Sequence, residues 1–169
     1  MDDATFRHFR VAEANAMVPT LERLLTRLQA LLEEARARQR ELQLIQAVGC
    51  RDDGTLIMAA DHREAKGRLR AAVNEANEII DSIQRAGCQL KSVELGLVDF
   101  PAVINGREVL LCWRLGEPEV MYYHSWHEGY AGRRRLRPDD DDTPLPVRSD
   151  DDTPRSPSGP RPVPGEPPE

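Results

Sequence analysis

Apolar residues in the first half of the chain recur in steps of three and four. Val18, Leu21, Leu25, Leu28, Leu32, Ala35 and Leu42 form one row, broken only at Gln39, and Leu24, Leu31 and Ile45 widen it. That spacing marks a long amphipathic helix with a coiled-coil-like seam. Pro19 suits a first helical turn, where its missing N–H has no partner to lose. The helix is therefore expected over about 19–47, stopped by Gly49, with a separate short helical stretch at 11–18 behind Phe6 and Phe9. Residues 49–60 connect, turning at Asp53-Gly54. A second stripe follows: Ala65, Leu69, Ala72 or Val73, Ala76, Ile79 or Ile80, and Ile83. It predicts a helix over about 61–85, ended by Gly87. So short a connection favours antiparallel return. The width added by Leu24 and Leu31 exceeds a two-helix seam, so the hairpin needs a third surface. Either the following segment or a second copy supplies it, which is the ground for expecting a homodimer.

Beyond residue 88 the period changes. Val98 to Ile104 and Glu108 to Trp113 flank Asn105-Gly106, the strongest short-range hairpin signal. Gly116-Glu117-Pro118 makes another turn, and Glu119 to His124 reads as a third strand. The expected fold class is α+β: a long antiparallel helical hairpin packed on a small three-stranded antiparallel β-meander. One domain spans 1–137, with the hairpin at 11–86 and the meander and closing loop at 88–137.

Charge separates the tail from this body. Of 13 prolines, 9 lie in residues 139–169 together with 9 acids and 3 arginines, and the whole net charge of −6 sits there. With little apolar surface to bury, residues 138–169 are expected to be a disordered acidic, proline-rich tail. The neutral body excludes a broadly basic nucleic-acid-binding protein, and no apolar run is long enough for a membrane span. Cys50, Cys88 and Cys112 are odd in number and far apart, so they suggest packed thiols in the reducing cytoplasm rather than disulfides or a thiolate zinc site.

Candidate chemistry concentrates late in the chain. Trp113, Tyr122, Tyr123, Trp126 and Tyr130 fall within 18 residues, beside His124, His127, Arg114, Glu117, Glu119 and Glu128. Rings wall a pocket and titratable groups work in it, although a small sheet on two helices also needs large apolar residues. His124 fits an acid/base oriented by Asp99 or Glu117. His124 and His127 with Asp99 or Glu128 offer N and O ligands, a weak pattern that leaves no metal as the first expectation. Arg114 can clamp an anion through its planar fork or join an ion pair. Arg133-Arg134-Arg135 and Arg137 are expected to balance Asp139–Asp142.

Several strings resemble one family. They are Gly87-Cys88-Gln89-Leu90-Lys91, then Gly96-Leu97-Val98-Asp99-Phe100-Pro101, then Leu111-Cys112-Trp113-Arg114-Leu115-Gly116-Glu117. His124 and Gly129-Tyr130-Ala131-Gly132-Arg133 follow, and Glu13-Ala14-Asn15 with Pro19 precedes them. Together they are similar to a bacterial and archaeal family known as domain of unknown function 2203. The resemblance implies a small cytosolic protein without an assigned reaction, and it favours Asp99, Arg114, Glu117, His124 and Arg133 over His127. Arg10 stands where the family usually has a capping threonine, which implies a less firmly started first helix.

The resulting expectation is a self-associating interaction or ligand-binding module with a polar site around His124. Its catalytic candidates are His124, Asp99 and Glu117, and its ligand-binding candidates are Arg114, Arg133, Trp113 and Tyr130. The alternative is a small enzyme using His124 as acid/base on an anionic or polar small molecule, with a metal-dependent version through His124 and His127. No cofactor is indicated, and neither nucleic acid nor membrane is expected as a partner.

Overall fold

In the computed structural model, which describes residues 7–145, helix α1 runs unbroken over Val11–Val48 and helix α2 over Ala59–Arg85. The expected start at Pro19 is thus eight residues late, and the short stretch before it is the first part of α1. Pro19 sits inside the helix and withholds one backbone donor. Burial of Ala14, Val18 and Leu21 along one continuous stripe offsets that loss. The stripe continues through Leu25, Leu28 and Leu31, so Leu31 takes the core position that the spacing gives to Leu32. Farther along α1 only Ile45 is buried.

The sheet supplies the hairpin's third surface. It has five antiparallel strands in sequential order: β1 Gln89–Ser92, β2 Leu97–Ile104, β3 Arg107–Arg114, β4 Tyr122–His124 and β5 Arg134–Arg135. The expected three-stranded meander is its centre. The added strands β1 and β5 have four and two residues, too few to show a period of two. The third strand is also shorter than expected, because the Val120 N–H donates to Asn15 Oδ1 on α1 (2.7 Å) instead of joining the ladder. Asn105 and Gly106 turn the β2–β3 hairpin at φ 52° and 74°, the left-handed pair that a type I′ turn requires.

Every residue of β2 is buried. Val98, Phe100, Ala102 and Ile104 alternate to the helix side and join Val109, Leu111 and Trp113 in one core with Leu21, Leu25 and Ile83. Pro101 is tolerated because β1 pairs with β2 only as far as Asp99, and the exposed edge beyond is taken by the Phe9 N–H donating to the Pro101 carbonyl (2.7 Å).

The first residues of the tail expected to be disordered make ordered contacts with this fold. Asn105 and Asp141 exchange backbone and side-chain hydrogen bonds, and Asn105 Nδ2 also donates to Asp140 Oδ1 (2.9 Å). The Val11 N–H donates to Asp142 Oδ2 (2.9 Å). Arg10 makes no side-chain cap, so an aspartate 131 residues away serves the helix end that the local sequence leaves open. The rest of the tail lies outside the described residues. Among the described residues no helix is long and apolar enough to cross a membrane.

Replacing Asp142 by Ala should cost about 1 kcal/mol, the usual worth of a helix cap, while Asp142→Asn, which keeps an acceptor oxygen, and Asp139→Ala should cost much less. Urea unfolding of the three variants checks this. Acid should release the same strap. The Arg137 N–H and Asn105 hold the Asp140 carboxyl below its usual range, and Thr143 does so for Asp141. Their contribution is complete above the ordinary aspartate pKa of about 3.9 and is lost as pH falls through the depressed values. The Asn105 amide resonance, followed from neutral pH downward, should move in that window and not above it.

Candidate functional site

Strand alternation sends Asp99 and Cys112 to the side of the sheet away from the helices. The hairpin register sets them directly opposite one another, and β4 sets His124 opposite Leu110 on the same side. This side is covered by the closing loop rather than by the helices. Trp126, Glu128, Gly129 and Tyr130 from that loop, with Lys91, roof a cavity of about 190 Å³ whose floor is Leu97, Asp99, Leu110, Cys112 and His124. The loop folds tightly. A Cβ on Gly132 would lie 2.7 Å from the Glu128 Cβ, so only glycine fits there without displacement.

On the floor, His124 Nε2 lies 3.1 Å from Asp99 Oδ2, and Nδ1 lies 2.8 Å from the Ser125 carbonyl oxygen. A carbonyl only accepts, so Nδ1 carries a proton. Nε2 then meets Asp99 either as the second N–H of an imidazolium or as a lone pair facing a protonated carboxyl. Both side chains are almost fully buried, and Asp99 Oδ1 makes no conventional hydrogen bond. Burial pushes the Asp99 carboxyl up, against the opposing pull of His124, Cys112 and Lys91. Burial, reinforced by Asp99, raises the Cys112 thiol to about 12. Cys112 is therefore protonated at neutral pH and is no free nucleophile.

A second cluster braces the first. Arg133 places Nη2 2.7 Å from both Glu117 oxygens, with its guanidinium 4.1 Å from the Tyr122 ring centre and 4.7 Å from that of Tyr130. Burial works against the Arg133 charge, but Glu117, Cys112 and Tyr130 outweigh it, and the net shift is upward. Glu117 also accepts from the Arg114 N–H (2.9 Å), and its carbonyl accepts from Trp113 Nε1 (2.9 Å). Arg114 donates to the Tyr130 hydroxyl (3.3 Å), which draws the phenol below its usual range.

The candidates therefore divide. Asp99, His124 and Tyr130 line the cavity. Glu117, Arg114 and Arg133 form the brace outside it, and Trp113 is buried on the helix side of the sheet. His127 is exposed and is not among the ligand-type atoms that converge near His124. The residue that spacing missed is Cys112, although its place opposite Asp99 follows from counting outward from Asn105-Gly106. Asn15, which holds the approach to β4, gives no signal in the sequence beyond its place in a motif.

These features define an α+β protein whose helical hairpin backs an antiparallel sheet with a buried Asp–His–Cys group under a loop. The chain belongs to the family described as uncharacterised conserved protein DUF2203, whose profile matches residues 7–136. No curated protein and no solved structure matches it.

Removing one partner of a fully buried ion pair costs about 3–5 kcal/mol. With Glu117 still 19% exposed, Glu117→Gln should cost about 2 kcal/mol in urea unfolding. Because the brace holds the loop, amide exchange at 129–133 should quicken more than exchange in α1. Uniform quickening would show that the pair does not act on the loop.

Proposed function

We propose that the cavity beneath residues 126–130 is the binding site of a small polar ligand, with the protein acting as a ligand-binding module. One observation carries this reading: the only buried charged or imidazole side chains among the described residues, Asp99 and His124, face a cavity instead of the core. Buried polar groups are costly unless they are satisfied or used, and Asp99 Oδ1 has no N–H or O–H donor, leaving the Cys112 thiol as a weak partner of this carboxylate. Trp126 and Tyr130, each about two-fifths exposed, line the same cavity and give a bound molecule aromatic edges to contact. Arg133 is engaged by Glu117, so it acts by positioning the loop, and Lys91 is the cation at the cavity itself. The enzyme alternative uses the same pair, with the proton between Nε2 and Oδ2 available for acid/base work on a bound molecule. The three unpaired thiols fit a cytoplasmic setting.

A panel of small polar fragments, screened by ligand-observed NMR and mapped on the protein amides, tests the site. Binders should shift Trp126, Gly129 and His124. Tyr130→Ala should weaken them about two- to tenfold, the worth of one aromatic contact, and His124→Gln, which keeps a polar side chain beside Asp99, should abolish them. A panel that shifts none of these residues, or binding that His124→Gln leaves unchanged, would make the Asp99, Cys112 and His124 group a purely structural feature.

Self-association is the companion reading. Leu31 is buried and Leu24 packs partly buried against the same core, so the width they add does not by itself call for a second copy. The far end of the hairpin exposes Leu44 (71%), Val48 (51%) and Ile57 (45%), and the Ile57 N–H donates to the Gly49 carbonyl, which brings the three together. Grouped apolar exposure of this kind favours a second copy of the same end. Sedimentation should show a dimer at tens of micromolar, an order-of-magnitude choice for weak pairing, and Leu44→Glu should return it to monomer. A wild-type monomer at that concentration ends this reading.

A further inference from the structure

We propose that Asp99, Cys112 and His124 together hold a divalent transition-metal ion, zinc or a close relative, at the floor of the cavity. The inference rests on the cavity being a ligand site and names the ligand. Each residue offers one ligand atom, a carboxylate oxygen, Sγ and an imidazole nitrogen, and the three atoms lie within 4.8 Å of one another. Tetrahedral zinc, with Zn–S of about 2.3 Å and Zn–N of about 2.0 Å, holds S and N roughly 3.5 Å apart. The gap closes by side-chain adjustment without movement of the strands.

Three features favour a metal over a sealed polar core. The Ser125 carbonyl fixes the proton on Nδ1 and turns the Nε2 lone pair inward, the arrangement by which a backbone oxygen commonly orients a metal-binding histidine. That lone pair faces Asp99 Oδ2 at 3.1 Å, so two electron-rich atoms meet unless a cation, proton or metal, stands between them. Asp99 Oδ1 is buried without a conventional donor. The ligands come from three adjacent strands, β2, β3 and β4, whose pairing fixes their spacing before any ion arrives. A mixed N, O and S set suits zinc or cobalt(II) better than magnesium or calcium. Three protein ligands leave a four-coordinate ion one position, and the cavity under Trp126 and Tyr130 adjoins it, as in reactive rather than structural zinc sites. On binding, the Cys112 proton passes to solvent and the thiolate bonds the metal.

The test is titration of the full, untagged chain, stripped with chelator, with cobalt(II) and with zinc. One ion per chain is expected, with a near-ultraviolet sulfur-to-cobalt charge-transfer band. Cys112→Ser should remove that band, whereas Cys50→Ser should leave it unchanged. Asp99→Asn and His124→Gln should each weaken zinc at least about 100-fold, beyond the ~10–100-fold effect of an outer-shell partner. Zinc-edge X-ray absorption of the wild-type protein needs no variant to fold, and it should show one sulfur per ion among lighter ligands. A spectrum with no sulfur or with two, or a cobalt band that follows Cys50, overturns the assignment. Failure of the wild-type protein to bind either metal, while fragments still shift Trp126 and Gly129, rejects the metal and keeps the ligand site. Failure of both rejects both.

Discussion

Placing a carboxylate on a strand that is buried on both faces is the constraint from which the C-terminal half of this protein follows. Asp99 lies 2% exposed as the third residue of β2, flanked along the strand by Val98 and Phe100, which face the helices. Burial disfavours its charge. Something must approach from the far side of the sheet to compensate, and that partner is His124, delivered by β4. The short strand, the turn before it and the loop after it are best understood as the means of holding an imidazole 3.1 Å from that carboxylate.

The brace around Glu117 does this at a distance. One glutamate accepts from the backbone of Arg114 and from the guanidinium of Arg133, and its main-chain carbonyl fastens the buried Trp113 indole. The end of β3, the following turn and the end of the closing loop thus share one anchor. Arg133 stacks on Tyr122 and Tyr130, which joins the loop to β4 and to the cavity wall. Arg114 and Arg133, the candidates for gripping an anion, are instead engaged by Tyr130 and Glu117, so under the proposed reading recognition would fall to the groups on the floor and to Trp126 and Tyr130.

The helices act as backing, and they are tied to the site by long-range polar contacts. Asn15 intercepts the Val120 amide ahead of β4, and Gln29 donates to the Val93 and Glu94 carbonyls in the turn between β1 and β2. At the same end of α1, Asp142 supplies the missing cap, and Asp140 and Asp141 clasp the β2–β3 turn at Asn105. The hairpin therefore has two regions. One is covered by the sheet as far as Leu31, and the other carries Leu44, Val48 and Ile57 outward beyond it.

Local physics made much of this legible from the chain. Two helical stripes, the Asn105-Gly106 turn and the change of period near residue 88 determine the fold class and the antiparallel centre of the sheet, because periodicity and turn chemistry depend only on near neighbours. His124 could likewise be named from the rings and titratable groups gathered late in the chain, and Asp99 as a carboxylate to orient it, both lying in the strings that resemble the family. What the sequence alone left open depends on residues far apart in the chain. The unbroken α1 through Pro19 required a stripe buried by the sheet, and its cap came from Asp142. The edge strands β1 and β5 are too short to carry a period. The separation of floor from brace, with Cys112 beside Asp99 and Arg133 turned to Glu117, was decided by strand register and loop closure, because only those bring such side chains within bonding distance.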